Sequence, residues 1–116
     1  MNVTVRPIER TDAFALAALR IQEDRQQGCE ARPGFLREYA DALLQEWDHR
    51  RGWIAELDDG SPVGCALVMR VRTLPSLSRE GRAEGWYLEH VFVVPGHRGT
   101  GIGRRLRAAV QDAARD

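Results

Sequence analysis

An apolar run passes into a glycine-rich turn at residues 91–103, which read Val91-Phe92-Val93-Val94-Pro95-Gly96-His97-Arg98-Gly99-Thr100-Gly101-Ile102-Gly103. The β-branched and aromatic residues before Pro95 predict a buried strand, and Pro95-Gly96 ends it. Apolar residues then recur at helical spacing, which predicts a helix over residues 101–115. The turn therefore connects a strand to the start of a helix.

The glycines of this turn favour an anion-binding site. Glycines at 99, 101 and 103 leave no side chain where the backbone turns sharply and approaches a ligand. The first amides of a helix have no partner within it, and the helix dipole adds partial positive charge there. The turn therefore predicts a pyrophosphate site, surrounded by the arginines at 98, 104, 105 and 107. The alternative is a tight helix start with solvated arginines.

Two other phosphate-binding motifs do not fit the turn. Its glycines are spaced G-x-G-x-G, which differs from the dinucleotide-binding fingerprint. The chain contains no lysine, which the P-loop requires.

The residues before the turn predict an α/β domain with the element order β-α-α-β-β-β-α. Hydrophobic periodicity predicts strands at 3–7, 53–57, 63–71 and 86–94, and helices at 12–26 and 34–49. The Asp59-Gly60 turn predicts a hairpin between the second and third strands. The predicted fold is a mixed, mostly antiparallel sheet flanked by helices, with a polar connection at 73–85.

The strand at 86–94 carries apolar residues on both sides of its expected alternation. Leu88, Phe92 and Val94 fall on one side, and Tyr87, Val91 and Val93 on the other. This pattern predicts a central strand that is covered on both faces.

Composition narrows the class of protein. The chain has 116 residues, which fits a single domain over 1–116. Its 17 basic and 17 acidic residues balance, which argues against nucleic acid or a membrane surface as a partner. No signal segment or membrane-spanning run is present, and two cysteines give no disulfide framework, so a cytoplasmic location is expected. The three histidines have no metal-ligand spacing, so no metal is expected.

The turn resembles the acetyl-CoA-binding motif of the GCN5-related N-acetyltransferase (GNAT) family. That motif is Arg or Gln, two residues, Gly, one residue, then Gly or Ala, and Arg98, Gly101 and Gly103 match it. The preceding Tyr87-Leu88-Glu89-His90-Val91-Phe92-Val93 resembles a Tyr-Leu-Glu-Asp-Leu-Phe-Val stretch of the family's small-amine acetyltransferases. The order of elements from residue 3 to 115 resembles the N-terminal two-thirds of the family fold.

The resemblance implies an enzyme that moves an acetyl group from acetyl-CoA to a primary amine of a small molecule or peptide. Backbone groups of Val91, Phe92 and Val93 would bind the pantetheine arm. The pyrophosphate would lie on amides of the turn, namely Gly99, Thr100, Gly101, Ile102, Gly103 and Arg104. Glu89 matches the family's general base, which often acts through water. The alternative for Glu89 is a solvent-facing or paired carboxylate.

The resemblance also implies a missing part. The chain ends inside its last helix, and the family's C-terminal third, which supplies the tyrosine that protonates the leaving thiolate, is absent. We therefore expect a further segment, or a second copy in a homodimer, to complete the exposed strand edge. The alternative function is a non-catalytic acyl-CoA-binding or dimerising module that lacks this acid. The first two helices and the 73–85 connection are expected to define the acceptor site.

Overall fold

The structure is a computed structural model that describes residues 2–75, 77 and 84–114. Within these residues, four strands and three α-helices follow one another in the predicted order. They are β1 (Val3–Pro7), α1 (Ala13–Gln26), α2 (Phe35–Gln45), β2 (Arg50–Leu57), β3 (Pro62–Arg72), β4 (Glu84–Val93) and α3 (Ile102–Ala114). The predicted α/β class and the order β-α-α-β-β-β-α are confirmed.

The strands form one sheet in the order β1-β2-β3-β4, and each ladder between described strands is antiparallel. Helices α1 and α2 cover one face, over a core of Ala13, Leu16, Leu19, Ala40, Leu43, Ile54, Cys65 and Phe92. Helix α3 covers the other face, over Ala55, Val63, Ala66, Ile102 and Leu106. The strands lie in the sheet in the same order as in the chain, so β4 is at one edge of the described sheet, and α3 follows it.

Several element boundaries differ from those predicted. Helix α2 ends at Gln45, and its predicted last turn is a separate 3₁₀ turn at Trp47–His49. Strand β2 begins at Arg50 because its first residues pair with the end of β3, where Arg50 faces Met69. Strand β4 begins at Glu84, so it takes up the end of the predicted 73–85 connection. Positions 76 and 78–83 of that connection lie outside the described residues.

A β-bulge in β4 corrects the predicted division of its side chains between two faces. His90 pairs with Leu67, but Leu88 pairs with Val68, so Glu89 has no partner in the ladder. The extra residue reverses the alternation, because directly paired residues share a face of the sheet. Leu88 therefore lies on the same face as Val91, and not with Phe92 as predicted.

The prediction that β4 is a central strand covered on both faces is wrong for the described residues. Within them β4 pairs with β3 alone, so its other edge is free of strand partners. Tyr87 and Leu88 are each 52% exposed. Apolar residues on both faces of a strand can therefore accompany an edge position, which periodicity alone does not distinguish.

An ion-pair network fixes β1 against β2 and the start of α1. The Arg6 guanidinium donates to both carboxylate oxygens of Asp12, at 2.8 and 2.9 Å. It also donates to the Glu56 carboxylate at 3.0 and 3.2 Å. Asp12 accepts a further bond from the Glu9 backbone amide at 2.7 Å. Chiefly through the bonds from Arg6, the pKa of Asp12 lies below its usual value.

We expect Arg6→Met to lower the free energy of unfolding by about 2 kcal/mol at neutral pH, because it leaves two carboxylates without their cation. The lowered pKa of Asp12 means that this contribution is present above the ordinary value of 3.8 and is lost as pH falls below it. Urea unfolding at several pH values should show the two proteins converging in acid. Arg32→Met is the control, since it removes an exposed ion pair with Glu38 and should cost about 0.5 kcal/mol or less.

Candidate functional site

A cleft of about 330 Å³ lies between the end of β4 and the turn that begins α3. Its walls are Val91, Phe92, Val93, His97, Arg98, Gly99, Gly103 and Arg107. Six of these were predicted as binding residues from the sequence. The fold brings them together because the chain reverses direction at Pro95–His97, a single 3₁₀ turn, before α3 packs back on the sheet.

The turn adopts the backbone conformations that its glycines permit. Gly99 and Gly101 have φ of 79° and 87°, in the left-handed region that other residues rarely adopt. A Cβ atom at either position would meet no heavy atom within 4 Å, so both positions face open space. The first bond of the helix runs from the Arg105 amide to the Gly101 carbonyl. Within the described chain, the amides of 102–104 therefore precede the helical ladder and can bind an anion.

Two side chains of the motif hold the turn in place. The Arg98 guanidinium donates to the Val93 carbonyl at 3.0 Å and to the side-chain oxygen of Gln26. It also lies 5.8 Å from the centre of the Phe92 ring. The Thr100 hydroxyl donates to the His97 carbonyl at 2.6 Å. Arg98 therefore ties the turn to β4 and α1, a role that the motif alone did not indicate.

The remaining predicted residues of the turn lie outside the cleft lining. The side chain of Ile102 is buried in the core under α3, which leaves only its backbone for a ligand. Arg104 is exposed. Arg105 donates to the Val3 carbonyl at 2.7 Å, on the β1 side of the helix. Arg107, in contrast, lines the cleft. From the sequence, it was only one of several arginines around the turn.

Glu89, the bulge residue of β4, is a paired carboxylate. Its Oε1 accepts a bond from Arg50 Nε at 2.8 Å, and its Oε2 a longer one from Nη2 at 3.4 Å. The third guanidinium nitrogen of Arg50 donates to Glu46 at 3.2 Å. Arg50 thus links the end of α2 to β4. The geometry agrees with the alternative interpretation, in which Glu89 is a paired carboxylate. The role of Glu89 as a general base stays a prediction.

A second cavity, of about 200 Å³, lies beside Glu89 under α2. Its walls are Tyr39, Ala42, Leu43, Glu46, Arg50, Leu67 and Glu89. Tyr39 and Leu43 lie four residues apart on one side of α2, and Leu43 packs on the sheet. The same spacing brings Tyr39 to the cavity. Burial raises the pKa of Tyr39 above its usual value, so its phenol is neutral.

His90 follows Glu89 in β4, and its largely buried side chain lies near Glu23 on α1. Its Nδ1 lies 3.6 Å from a Glu23 oxygen, and neither ring nitrogen makes a hydrogen bond in the described structure. Burial lowers the pKa of His90, which favours the neutral ring.

No group of three or more potential metal ligands occurs among the described residues. No helix in the described ranges is long and apolar enough to span a bilayer.

Known proteins resemble this chain in sequence and in fold. Residues 17–116 match the family model for acetyltransferases of the GNAT family. A GCN5-related N-acetyltransferase from Ralstonia eutropha JMP134 is 26% identical, with a TM-score of 0.76 over 98% of this chain and 78% of that one. Ribosomal-protein-alanine N-acetyltransferase from Brucella melitensis biovar Abortus 2308 is 28% identical, with a TM-score of 0.69 over 99% of this chain and 73% of that one.

A third structure shows a likeness of fold alone. A predicted acetyltransferase with acetyl-CoA from Clostridium acetobutylicum has a TM-score of 0.83 at 17% identity, over 98% of this chain and 74% of that one. No curated protein matches the chain significantly.

Proposed function

The chain belongs to the GNAT acetyltransferase family, and from that premise we propose that it transfers an acetyl group from acetyl-CoA to a primary amine of a small molecule or peptide. One observation carries the proposal: residues of a single strand, β4, line both cavities. Glu89 lines the cavity under α2, and Val91 lines the cleft beside α3. Two residues of a strand span about 7 Å, so donor and acceptor could meet across β4 in a ternary complex.

The cleft beside α3 suits acetyl-CoA. The free edge of β4 would offer the backbone groups of Val91 and Val93 to the amide-containing pantetheine arm, as an added strand would use them. Those of Phe92 face β3, because the amide of Val94, two residues further on, donates to the Val63 carbonyl. The amides from Gly99 to Arg104 would hold the pyrophosphate at the helix N-terminus. Arg107, at the cleft wall, adds positive charge.

The chemistry needs one group that accepts a proton. The amine nitrogen attacks the thioester carbonyl, a C–N bond forms, the C–S bond breaks and CoA leaves as the thiolate. Glu89 would accept the amine proton, directly or through water. Its Oε2 is the less engaged oxygen, since its bond from Arg50 is the longer one. Backbone amides of β4 would stabilise the oxyanion.

Turnover with acetyl-CoA tests the proposal. We expect the protein to bind acetyl-CoA in calorimetry and to release free thiol when a panel of primary amines is added. Each acetylated amine should appear by mass spectrometry in equal amount to the thiol. Failure to bind acetyl-CoA, or thiol release that is independent of any amine, would contradict the proposal.

A second candidate function is a non-catalytic acyl-CoA-binding module. The observation that favours it is the Arg50 guanidinium, which already engages both oxygens of Glu89. A carboxylate with both oxygens held in this way is less accessible to an incoming amine than a free one. This module would bind acetyl-CoA without turning it over with any amine, and the half-exposed Tyr87 and Leu88 at the β4 edge would be available for dimerisation.

A further inference from the structure

We propose that the cavity beside Glu89 takes small primary amines that carry one positive charge and an apolar body, and that it rejects amines with a neighbouring carboxylate. This inference rests on the proposed function, which leaves the acceptor open. It assigns the chemical class of the acceptor from the walls of the cavity.

The walls divide into an apolar part and a charged part. Leu43 and Leu67 form the apolar floor, with 6% and 2% exposure. Tyr39 adds a neutral aromatic ring. The charged part consists of Glu46, Arg50 and Glu89, which form one continuous chain of ion pairs. An acceptor would therefore place its hydrocarbon against the leucines and its nitrogen toward the carboxylates.

The charges of these walls add up to one negative charge. Two carboxylates and one guanidinium line the cavity. A nearby cation on α1, Arg20, is itself paired with Glu23 and Asp24, each at 3.3 Å. One ammonium group neutralises the cavity, whereas a zwitterionic amino acid leaves its negative charge uncompensated. Like charges in a partly desolvated site repel more strongly than in water.

All three guanidinium nitrogens of Arg50 already donate to glutamates, so Arg50 is poorly placed to bind a carboxylate of the acceptor. Its Nε and Nη2 bind Glu89, and its Nη1 binds Glu46. Carboxylate recognition by arginine usually requires two such donors side by side. A carboxylate on the acceptor would have to compete with the two glutamates for Arg50, so the ion-pair chain acts against amino acids.

The size of the cavity limits the acceptor further. Drug-sized ligands occupy pockets of roughly 300–1,000 Å³, and this cavity measures about 200 Å³. It therefore suits an alkylamine of a few carbons or an amine with one aromatic ring.

Three candidate acceptors, each with one phenyl ring, distinguish the effect of charge on turnover from the effect of size. They are phenethylamine, phenylalanine and phenylalanine amide, of which only phenylalanine carries a carboxylate. We expect phenethylamine to exceed phenylalanine in kcat/KM by at least about tenfold, with the amide close to phenethylamine. Calorimetry of the same compounds with the CoA-loaded protein should give the same order of affinity.

Glu46→Gln tests the charge balance directly, because it removes one negative charge at an exposed wall position. The preference for phenethylamine over phenylalanine should fall by about fivefold to tenfold in this variant. Glu38→Gln is the matched control. Glu38 lies on α2, at the end of which Glu46 is the C-cap residue, and the two glutamates are similarly exposed. Glu38 pairs with Arg32 and does not line the cavity, so this variant should keep the wild-type preference.

The possible outcomes separate this inference from the proposed function. Equal or reversed preference between phenethylamine and phenylalanine overturns the inference while acetyl transfer stands. A preference that Glu46→Gln leaves unchanged also overturns it, as does a CoA-loaded protein that binds none of the three compounds. A protein that does not bind acetyl-CoA contradicts the proposed function instead, and calorimetry of acetyl-CoA alone reveals this case.

Discussion

Replacement of Gly101 by valine should weaken acetyl-CoA binding roughly 30- to 100-fold. Gly101 has φ of 87°, a conformation in which a β-branched residue is strained. Apart from its chain neighbours, no heavy atom lies within 4 Å of the Cβ position, so the added side chain would extend into the space in which we propose the pyrophosphate to lie. Calorimetric titration of the wild type and the variant with CoA measures the loss.

A second glycine separates strain from ligand exclusion. Gly60, in the hairpin between β2 and β3, has the same φ of 87° and equally open space at its Cβ position. Gly60→Val should therefore cost a similar amount of stability and leave CoA affinity unchanged. If Gly101→Val binds CoA as the wild type does, the pyrophosphate site lies elsewhere. If both variants lose CoA equally, global destabilisation explains the loss.

The sequence predicted what depends on local signals. Pro95 and the glycines at 99 and 101 constrain the backbone only within a few residues. The strand, the turn and the helix lie where these residues predict them. The element order was also readable, because each segment carries its own periodicity.

The rest of the site depends on contacts between distant residues. The bulge at Glu89 is a mismatch between β3 and β4, and no feature of β4 alone locates it. The pairing of Glu89 with Arg50 joins positions 39 residues apart. Tyr39 reaches the cavity through the packing of α2, whereas Tyr87, which is nearer to Glu89 in sequence, is half exposed. Charge and aromatic content could be read from the sequence, but the register that brings them together could not.

Replacement of Glu89 by glutamine should lower kcat by about 10²–10⁴-fold, because a positioned general base is worth that much. The amide cannot accept the proton of the attacking amine, although it can still accept one bond from Arg50. The pair is partly exposed, with side chains 19% and 34% accessible, so the loss of stability should stay near 1 kcal/mol or less. Affinity for CoA should not change, because Glu89 does not line the donor cleft.

Glu84→Gln is the matched control for this loss, since Glu84 lies on the same strand and pairs with Arg72 at 3.1 Å. It should retain wild-type kcat. Steady-state rates across a range of pH add a readout that a structural role would not change. The dependence of the rate on pH should differ between the wild type and the Glu89→Gln variant, because only the wild type carries the proposed base. A variant with wild-type kcat at every pH would assign the proton to water or to another group, and the bond from Arg50 would then be structural.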